Sequence, residues 1–176
     1  MLKIANHPIY TYALPEGHRF PMAKYELLPK LLLDNGICTQ ENFFEPPKVS
    51  IALILKVHSD SYDERLLSVS LDKKEVRRIV LPLRQELVDR SHYIIGGTIQ
   101  GCEFALKNGV AMNIAGGTHH AFKDHGEAFC LLNDQAVAAR YLLDTNKAKR
   151  ILIVDLDVHQ GNGTAAIFKE DTNVFT

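Results

Sequence analysis

Short apolar runs alternate along the chain with segments of helical spacing. The apolar runs are typical of buried strands and lie at residues 2–5, 51–57, 110–115, 151–156 and 173–176. Helices are predicted at residues 22–34, 59–67, 72–78, 82–108, 133–143 and 165–168. Strands that alternate with helices predict an α/β fold, in which helices cover both faces of a parallel sheet.

Capping residues and prolines set the expected ends of these helices. Ser59 and Asp72 are suited to N-caps, and Gly109 is suited to the left-handed C-cap of the longest helix. Pro29 lies inside the first predicted helix, where it is expected to cause a kink or a break, and Asn35-Gly36 is expected to end that helix.

Composition places the chain among ordinary globular proteins. Of its 176 residues, 46% are apolar and 23% are charged, which is typical of one domain with a buried core. The 20 Lys and Arg residues nearly cancel the 21 Asp and Glu residues, so no direct nucleic-acid partner is expected. No apolar run is long enough for a membrane span, and three cysteines without paired spacing favour the reducing cytoplasm.

Two polar stretches follow predicted strands and are candidates for chemistry. Ligands bind at the carboxyl ends of strands in a parallel sheet, and this rule selects residues 116–120 and 155–159. If the chain stays extended there, Asp155, Asp157 and His159 point to the same side. Two crowded carboxylates favour a divalent cation, and a mixed set of carboxylate and imidazole ligands suits zinc.

The pair His119-His120 follows Gly116-Gly117 at the other strand end. Neighbouring histidines outside a helix point apart, so they suit two acid–base groups beside a metal-bound water better than two ligands of one metal. Alternatively, the two aspartates only cap loops and His159 is a surface residue. The position of the acidic motif after the clearest strand and before Gly161-Asn162-Gly163 favours the metal site.

These motifs resemble, in order and spacing, the histone deacetylase superfamily, whose arginase/deacetylase fold is a three-layer α/β/α arrangement. The matching stretches are residues 116–121, 128–130, 133–134 and 155–164. Residues 7–8 and 17–22, together with Gln160 and Asn162, are most similar to the class IV branch and its bacterial relatives. The resemblance implies that residues 1–176 are the N-terminal portion of a single domain, truncated so that its C-terminal half is missing.

The resemblance implies a metal centre built on Asp155, Asp157 and His159. The side chains of Asp157 and His159 would bind zinc. Asp155, with main-chain oxygens of Asp157 and His159, would form part of a site for a monovalent cation, K⁺. The family's third zinc ligand, an aspartate, and its oxyanion-binding tyrosine would lie in the C-terminal half.

The resemblance also implies different roles for the two histidines. His120, oriented by Asn162, would be the general base for the zinc-bound water and would then protonate the leaving amine. His119, paired with Asp155, would stay protonated and support the developing negative charge. This division agrees with electrostatics, because a carboxylate favours the charged form of an imidazole and a neutral amide does not.

The walls of the substrate site are implied in the same way. Phe129, with Ala128 and Gly117, would line the tunnel for the acyl-lysine chain, and Arg19 would line an internal cavity beneath the metal. Ala128 stands where the family usually has glycine. Its methyl group is therefore expected to narrow the tunnel or to tilt Phe129.

The implied function is zinc-dependent hydrolysis of an acyl-lysine protein or an acetylated amine. Strands of the missing half would lie between the runs at residues 110–115 and 151–156, so the chain alone is expected to be inactive and to expose a sheet face. It would then associate through that face or be complemented by the C-terminal half. Two alternatives stay open: a catalytically inactive fragment that acts as a binding or assembly module, and an arginase-type metal hydrolase.

Overall fold

The computed structural model describes residues 1–176 as short parallel strands joined by helices. The strands are β1 (Lys3–Ala5), β2 (Phe43–Phe44), β3 (Ala111–Asn113), β4 (Ile151–Leu152) and β5 (Val174–Phe175). The α-helices are α1 (Lys24–Asp34), α2 (Ile51–Ile54), α3 (Asp60–Leu67), α4 (Lys73–Ile79), α5 (Gln85–Asn108), α6 (Asp134–Asp144) and α7 (Asn162–Phe168). Two 3₁₀ helices, Pro8–Tyr10 and Gln40–Asn42, complete the regular structure.

The strands form two separate sheets, and every strand pair in them is parallel. The first sheet has the order β2-β1-β3, in which Ile4 lies between Phe43 and Met112. The second sheet pairs β4 with β5, with Ile151 beside Val174. Helix α5 packs against β1, β3 and α6, and α6 in turn contacts α7. A parallel sheet with helices packed against it confirms the predicted α/β class.

One side of α5 supplies much of the hydrophobic core. Leu87, Val88, Ile94 and Ile95 are fully buried, and their spacing places them on one stripe of the helix. They belong to one cluster with buried side chains from α3, α4 and α6. None of the helices combines the length and the apolar character that a membrane crossing requires.

The prediction of a strand at residues 51–57 is wrong, because this segment begins as helix α2. Ile54 and Val57 are buried, whereas Ile51 and Leu55 are exposed, so burial recurs at helical spacing. A short apolar run does not by itself distinguish a buried strand from a buried helix. Here the segment is helical and packs against α6.

The strand at residues 151–156 is shorter than predicted. Only Ile151 and Leu152 form β4, and the last ladder bond runs from the N–H of Ile153 to the carbonyl oxygen of Phe175 (2.8 Å). No neighbouring strand accompanies the chain beyond that point, and Leu156 is 91% exposed. Strand β2 was not predicted, since two residues are too few for a visible pattern.

The predicted helix ends are confirmed in part. The Asp72 carboxylate accepts hydrogen bonds from the N–H groups of Lys74 and Glu75, and Gly109 adopts the left-handed C-cap conformation with φ +88°. Ser59 occupies the N-cap position of α3, but its side chain makes no capping hydrogen bond. Helix α1 continues through the buried Pro29 without a break, and the other predicted outcome, a kink, stays a prediction.

A tight turn at residues 127–130 is held by the end of α4. The N–H of Cys130 donates to the carbonyl oxygen of Glu127 (2.9 Å), and the central residues Ala128 and Phe129 have φ values of +44° and +72°. Positive φ at both central positions is typical of a type I′ turn, which favours glycine and asparagine. The N–H groups of Ala128 and Phe129 donate to the last carbonyls of α4, and these bonds hold the strained turn in place.

The connections after β3 and β4 lead to the polar stretches selected from the sequence. The segment after β3 ends at His119-His120, and the segment after β4 leads through Asp155 to the first residue of α7, Asn162. Helix α6 begins at Asp134, beside the first of these segments. The fold therefore brings two strand ends and the beginnings of two helices to one place.

We predict that replacing Ala128 by glycine stabilises the protein. Alanine in the left-handed region costs about 1–2 kcal/mol, and the flexibility of glycine offsets about half of this gain. The free energy of unfolding should therefore rise by roughly 0.5–1 kcal/mol, as measured by denaturant titration. Ala138→Gly, inside helix α6, is the matched control and should lower it by about 1 kcal/mol. An A128G variant that is less stable than the parent protein would show that the turn is not strained.

We also predict a pH-dependent loss of stability caused by the buried His58. Its Nε2 accepts the N–H of Asn133 (3.0 Å), and burial lowers the pKa of His58 from 6.5 to about 4. The unfolded chain binds the proton more readily, so stability should fall from pH 6.5 to pH 4, by about 1.4 kcal/mol per unit at most. Below pH 4 this contribution is constant.

The matched variant for this prediction is His58→Gln. A glutamine oxygen can accept the same N–H of Asn133 without titrating. Burial also lowers the pKa of His92, which adds a slope of the same sign to parent and variant alike, so the difference between the two slopes isolates His58. Equal slopes of unfolding free energy against pH in parent and variant between pH 4 and 6.5 would contradict the prediction.

Candidate active site

His119 is buried and pairs with a carboxylate from the other strand end. Its Nδ1 lies 2.6 Å from Oδ2 of Asp155. Burial raises the pKa of Asp155, but the hydrogen bonds from His119 and from the N–H of Asp157 outweigh it and hold the pKa below its usual value. The carboxylate therefore stays ionised beside the imidazole at neutral pH.

His120 is half-buried and meets an amide instead of a carboxylate. Its Nδ1 lies 2.7 Å from Oδ1 of Asn162, the first residue of α7. The rings of His119 and His120 are in contact, with centroids 4.1 Å apart. Two adjacent imidazoles thus have partners of different charge, and these are the two pairs that the family resemblance implied.

The loop that carries both histidines is fixed by Asp134 at the start of α6. This buried carboxylate accepts hydrogen bonds from the N–H groups of Gly117 (3.1 Å) and Thr118 (2.7 Å). It also accepts the hydroxyl groups of Thr118 (2.6 Å) and Thr98 (2.5 Å). A negative charge at a helix N-terminus is favourable, so the place of this carboxylate at the start of α6 stabilises both the helix and the loop.

The glycines on either side of Asn162 allow α7 to approach the histidines. A Cβ atom at Gly161 would clash with the carboxylate of Asp155, and one at Gly163 would clash with the main chain of Ala121. The close approach also lets the N–H of Thr164 donate to the carbonyl oxygen of His119 (3.0 Å). The sequence Gly-Asn-Gly is therefore a packing requirement of both histidine pairs.

Asp157 and His159 lie beside the histidine pair on the exposed side. The ring centroid of His159 is 6.1 Å from that of His120. The hydrogen bond from the N–H of His159 (2.8 Å), followed by that from its ring, lowers the pKa of Asp157. The chain is not extended here as predicted: β4 ends at Leu152 and the chain bends at residues 157–159, so local hydrogen bonds place these side chains.

The donor set of this chain suits zinc in kind but not in number. Asp157 and His159 supply one carboxylate and one imidazole, and no group of three or more His, Cys, Asp or Glu side chains that could hold a metal is present. Catalytic zinc sites normally use three protein ligands. Both carboxylate oxygens of Asp155 already accept hydrogen bonds, and the K⁺ site stays a prediction.

A cleft of about 630 Å³ runs along these side chains. It brings together residues predicted from all parts of the site: Arg19, Gly117, His119, His120, Ala128, Phe129, Asp157 and His159. The Phe129 ring packs against Phe20 at 5.0 Å between centroids, and the exposed Arg19 guanidinium lies 5.2 Å from the same ring. The positions predicted for the tunnel wall therefore share one cleft with both histidines, and Arg19 borders the same cleft, whereas the internal cavity predicted for it stays a prediction.

Sequence reasoning missed two charged residues of this region. Arg90 lines the cleft, donates from Nε to the carbonyl oxygen of Tyr10 (2.7 Å) and lies over the ring of Tyr25. Glu127 accepts a hydrogen bond from Nδ2 of Asn162 (3.0 Å). Neither belongs to a local motif. Asp134 had a visible signal, since an acidic residue after Asn133 suits a helix start.

The sequence is similar to histone deacetylases over nearly its whole length. A family profile described as Histone deacetylase domain matches residues 18–176. An uncharacterized protein of Picosynechococcus sp. is 46% identical over 173 residues, which cover 98% of this chain and 58% of that protein. Histone deacetylase 2 of Arabidopsis thaliana is 29% identical, with 97% of this chain and 46% of that protein covered. Histone deacetylase 1 of Homo sapiens is 28% identical, and the match covers 94% of this chain and 36% of that protein.

Solved structures share the fold. An HDAC homolog from Aquifex aeolicus matches with a TM-score of 0.83 and 26% sequence identity. An HDAC homolog complexed with SAHA matches with a TM-score of 0.85 and 28% sequence identity. Both matches cover 99% of this chain and 49% of the other. The chain thus spans between 36% and 58% of the length of these proteins. Since the family profile covers most of its residues, the chain belongs to the histone deacetylase family.

Proposed function

We propose that this chain supplies the acid–base groups of a zinc-dependent hydrolase of acyl-lysine or other acylated amines. One observation carries the proposal: two touching imidazoles have different partners, a carboxylate for His119 and an amide for His120. They line one cleft with a carboxylate and imidazole donor pair. Amide hydrolysis needs a base that later acts as an acid, together with a group that stabilises developing negative charge.

His120 acts as the general base in this proposal. With a proton on Nδ1 directed to Asn162, the lone pair of Nε2 is free to accept a proton from the attacking water. The same nitrogen then passes the proton to the leaving amine. His119 plays the complementary role, because the ionised Asp155 favours positive charge on its ring, and that charge stabilises the tetrahedral oxyanion.

Asp157 and His159 would hold zinc together with a third donor from outside residues 1–176. Zinc, when bound, polarises the amide carbonyl and acidifies a water molecule. Phe129 forms one wall of the proposed acyl-lysine tunnel, with Ala128 and Gly117 beside it. The motifs shared with class IV deacetylases leave room for acyl chains longer than acetyl.

We further propose that residues 1–176 form the N-terminal portion of one domain. Strands β3 and β4 belong to different sheets, and large apolar side chains remain exposed on and after β3 and β4: Met112, Leu152, Val154, Leu156 and Val158. The C-terminal half of the domain would cover this surface and supply the third zinc ligand. The same surface also favours the second candidate function, a binding or assembly module. The three free cysteines suit the proposed cytoplasmic location.

The general base is tested by His120→Ala in the intact protein. Loss of a positioned acid–base group should lower kcat for an acetyl-lysine peptide by about 10²–10⁴-fold. Product release is measured by chromatography, and KM should change little. His125→Ala is the matched control, because His125 also pairs with an aspartate, Asp124, but does not line the cleft. An H120A variant with unchanged kcat would remove the acid–base assignment.

A second prediction concerns the metal. Purified residues 1–176 should bind zinc weakly and should not hydrolyse acyl-lysine, because two protein ligands are too few for a catalytic zinc site. Zinc titration by calorimetry measures this, with Asp157→Ala as the variant that removes one ligand. Tight zinc binding together with robust deacylation by this polypeptide would contradict the prediction.

A further inference from the structure

The amide of Asn162 has three partners. Its Oδ1 accepts the N–H of Gly163 (3.0 Å) and lies 2.7 Å from Nδ1 of His120. Its Nδ2 donates to Oε1 of Glu127 (3.0 Å). An amide side chain can flip end over end, so the partners decide which end faces the histidine.

Two of these partners permit only one orientation. The main-chain N–H of Gly163 can only donate, and Oε1 of Glu127 accepts the amide N–H. If the Asn162 amide were flipped, its NH₂ group would face the N–H of Gly163 and its oxygen would face the carboxylate of Glu127, and neither contact is a hydrogen bond. The oxygen of Asn162 therefore faces His120.

The orientation of Asn162 in turn fixes the tautomer of His120. An amide oxygen can only accept, so Nδ1 of His120 must carry the proton. In the neutral ring the lone pair then lies on Nε2. A general base needs this arrangement.

Glu127 is itself held firmly by the tight turn. Its N–H donates to the carbonyl oxygen of Cys130 (3.0 Å), and its carbonyl oxygen accepts the N–H of Cys130. The two central residues of the turn are bonded to the end of α4. The Glu127 carboxylate takes part in none of the ion pairs of the chain, and its hydrogen bond comes from Asn162.

We propose that Glu127 is a positioning residue: by accepting the hydrogen bond from Asn162, it holds that amide in one orientation and selects the Nδ1–H tautomer of His120. The proposal rests on the function proposed above, since the tautomer matters catalytically only if His120 is the base. The tight turn at Ala128 and Phe129 sets the position of Glu127 within this arrangement.

The tautomer is measured directly by long-range ¹H–¹⁵N NMR of His120 in the intact protein. The pH is held above the titration range of histidine, whose ordinary pKa is about 6.5. The parent protein should have the Nδ1–H form. Glu127→Ala and the space-filling Glu127→Met should shift the population toward the Nε2–H form by roughly tenfold. Glu127→Gln is the matched control, because a glutamine oxygen can still accept from Asn162.

A second substitution separates positioning from general support of the fold. Aspartate at position 162 presents an accepting oxygen in either orientation, so E127A/N162D should restore the Nδ1–H form without any residue at 127 to orient it. Loss of structural support would not be repaired in this way. An unchanged tautomer in both E127A and E127M, or no recovery in the double variant, overturns the proposal.

Hydrolysis assays distinguish this inference from the proposed function. E127A should lower kcat for an acetyl-lysine peptide with little change in KM, and E127Q should retain the parent value. If the parent protein hydrolyses no acylated amine, the proposed function fails. The tautomer measurements then still decide whether Glu127 orients Asn162.

Discussion

Two imidazoles in contact become chemically different when each has a hydrogen-bond partner of different charge. In this protein Nδ1 of His119 meets the carboxylate of Asp155, and Nδ1 of His120 meets the amide oxygen of Asn162. A carboxylate favours positive charge on the ring, whereas an amide oxygen only requires a proton on the facing nitrogen. Every role proposed for the cleft depends on this difference between the two partners.

The difference can persist only if the backbone holds the partners in place. Asp134 fixes the loop before the histidines through two N–H groups and two hydroxyl groups, and it does so from the N-terminus of a helix. Gly161 and Gly163 let α7 come close enough for Asn162 to reach His120. Because buried polar groups are costly unless they are paired, such a network has few alternative arrangements.

The two parts of the site differ in how complete they are within this chain. Both histidines find their partners among residues 1–176, and His119 is buried. The side chains of Asp157 and His159 are instead 50% and 74% exposed, and Leu156 and Val158 beside them are each 91% exposed. This surface combines two candidate metal ligands with exposed apolar side chains, which is typical of a surface that another polypeptide segment covers.

The sequence alone was sufficient for features that depend on local pattern. Alternation of apolar runs with helices predicted the α/β class, and Asp72 and Gly109 predicted two helix ends. Because ligand sites lie at the carboxyl ends of parallel strands, the sequence also predicted that His120 and His159 lie close together. The conformation of residues 51–57 and the place of Glu127 were decided only by the tertiary structure. A short apolar run takes its conformation from what it packs against. Glu127 and Asn162 are 35 residues apart, and no local pattern relates two side chains that only folding brings together.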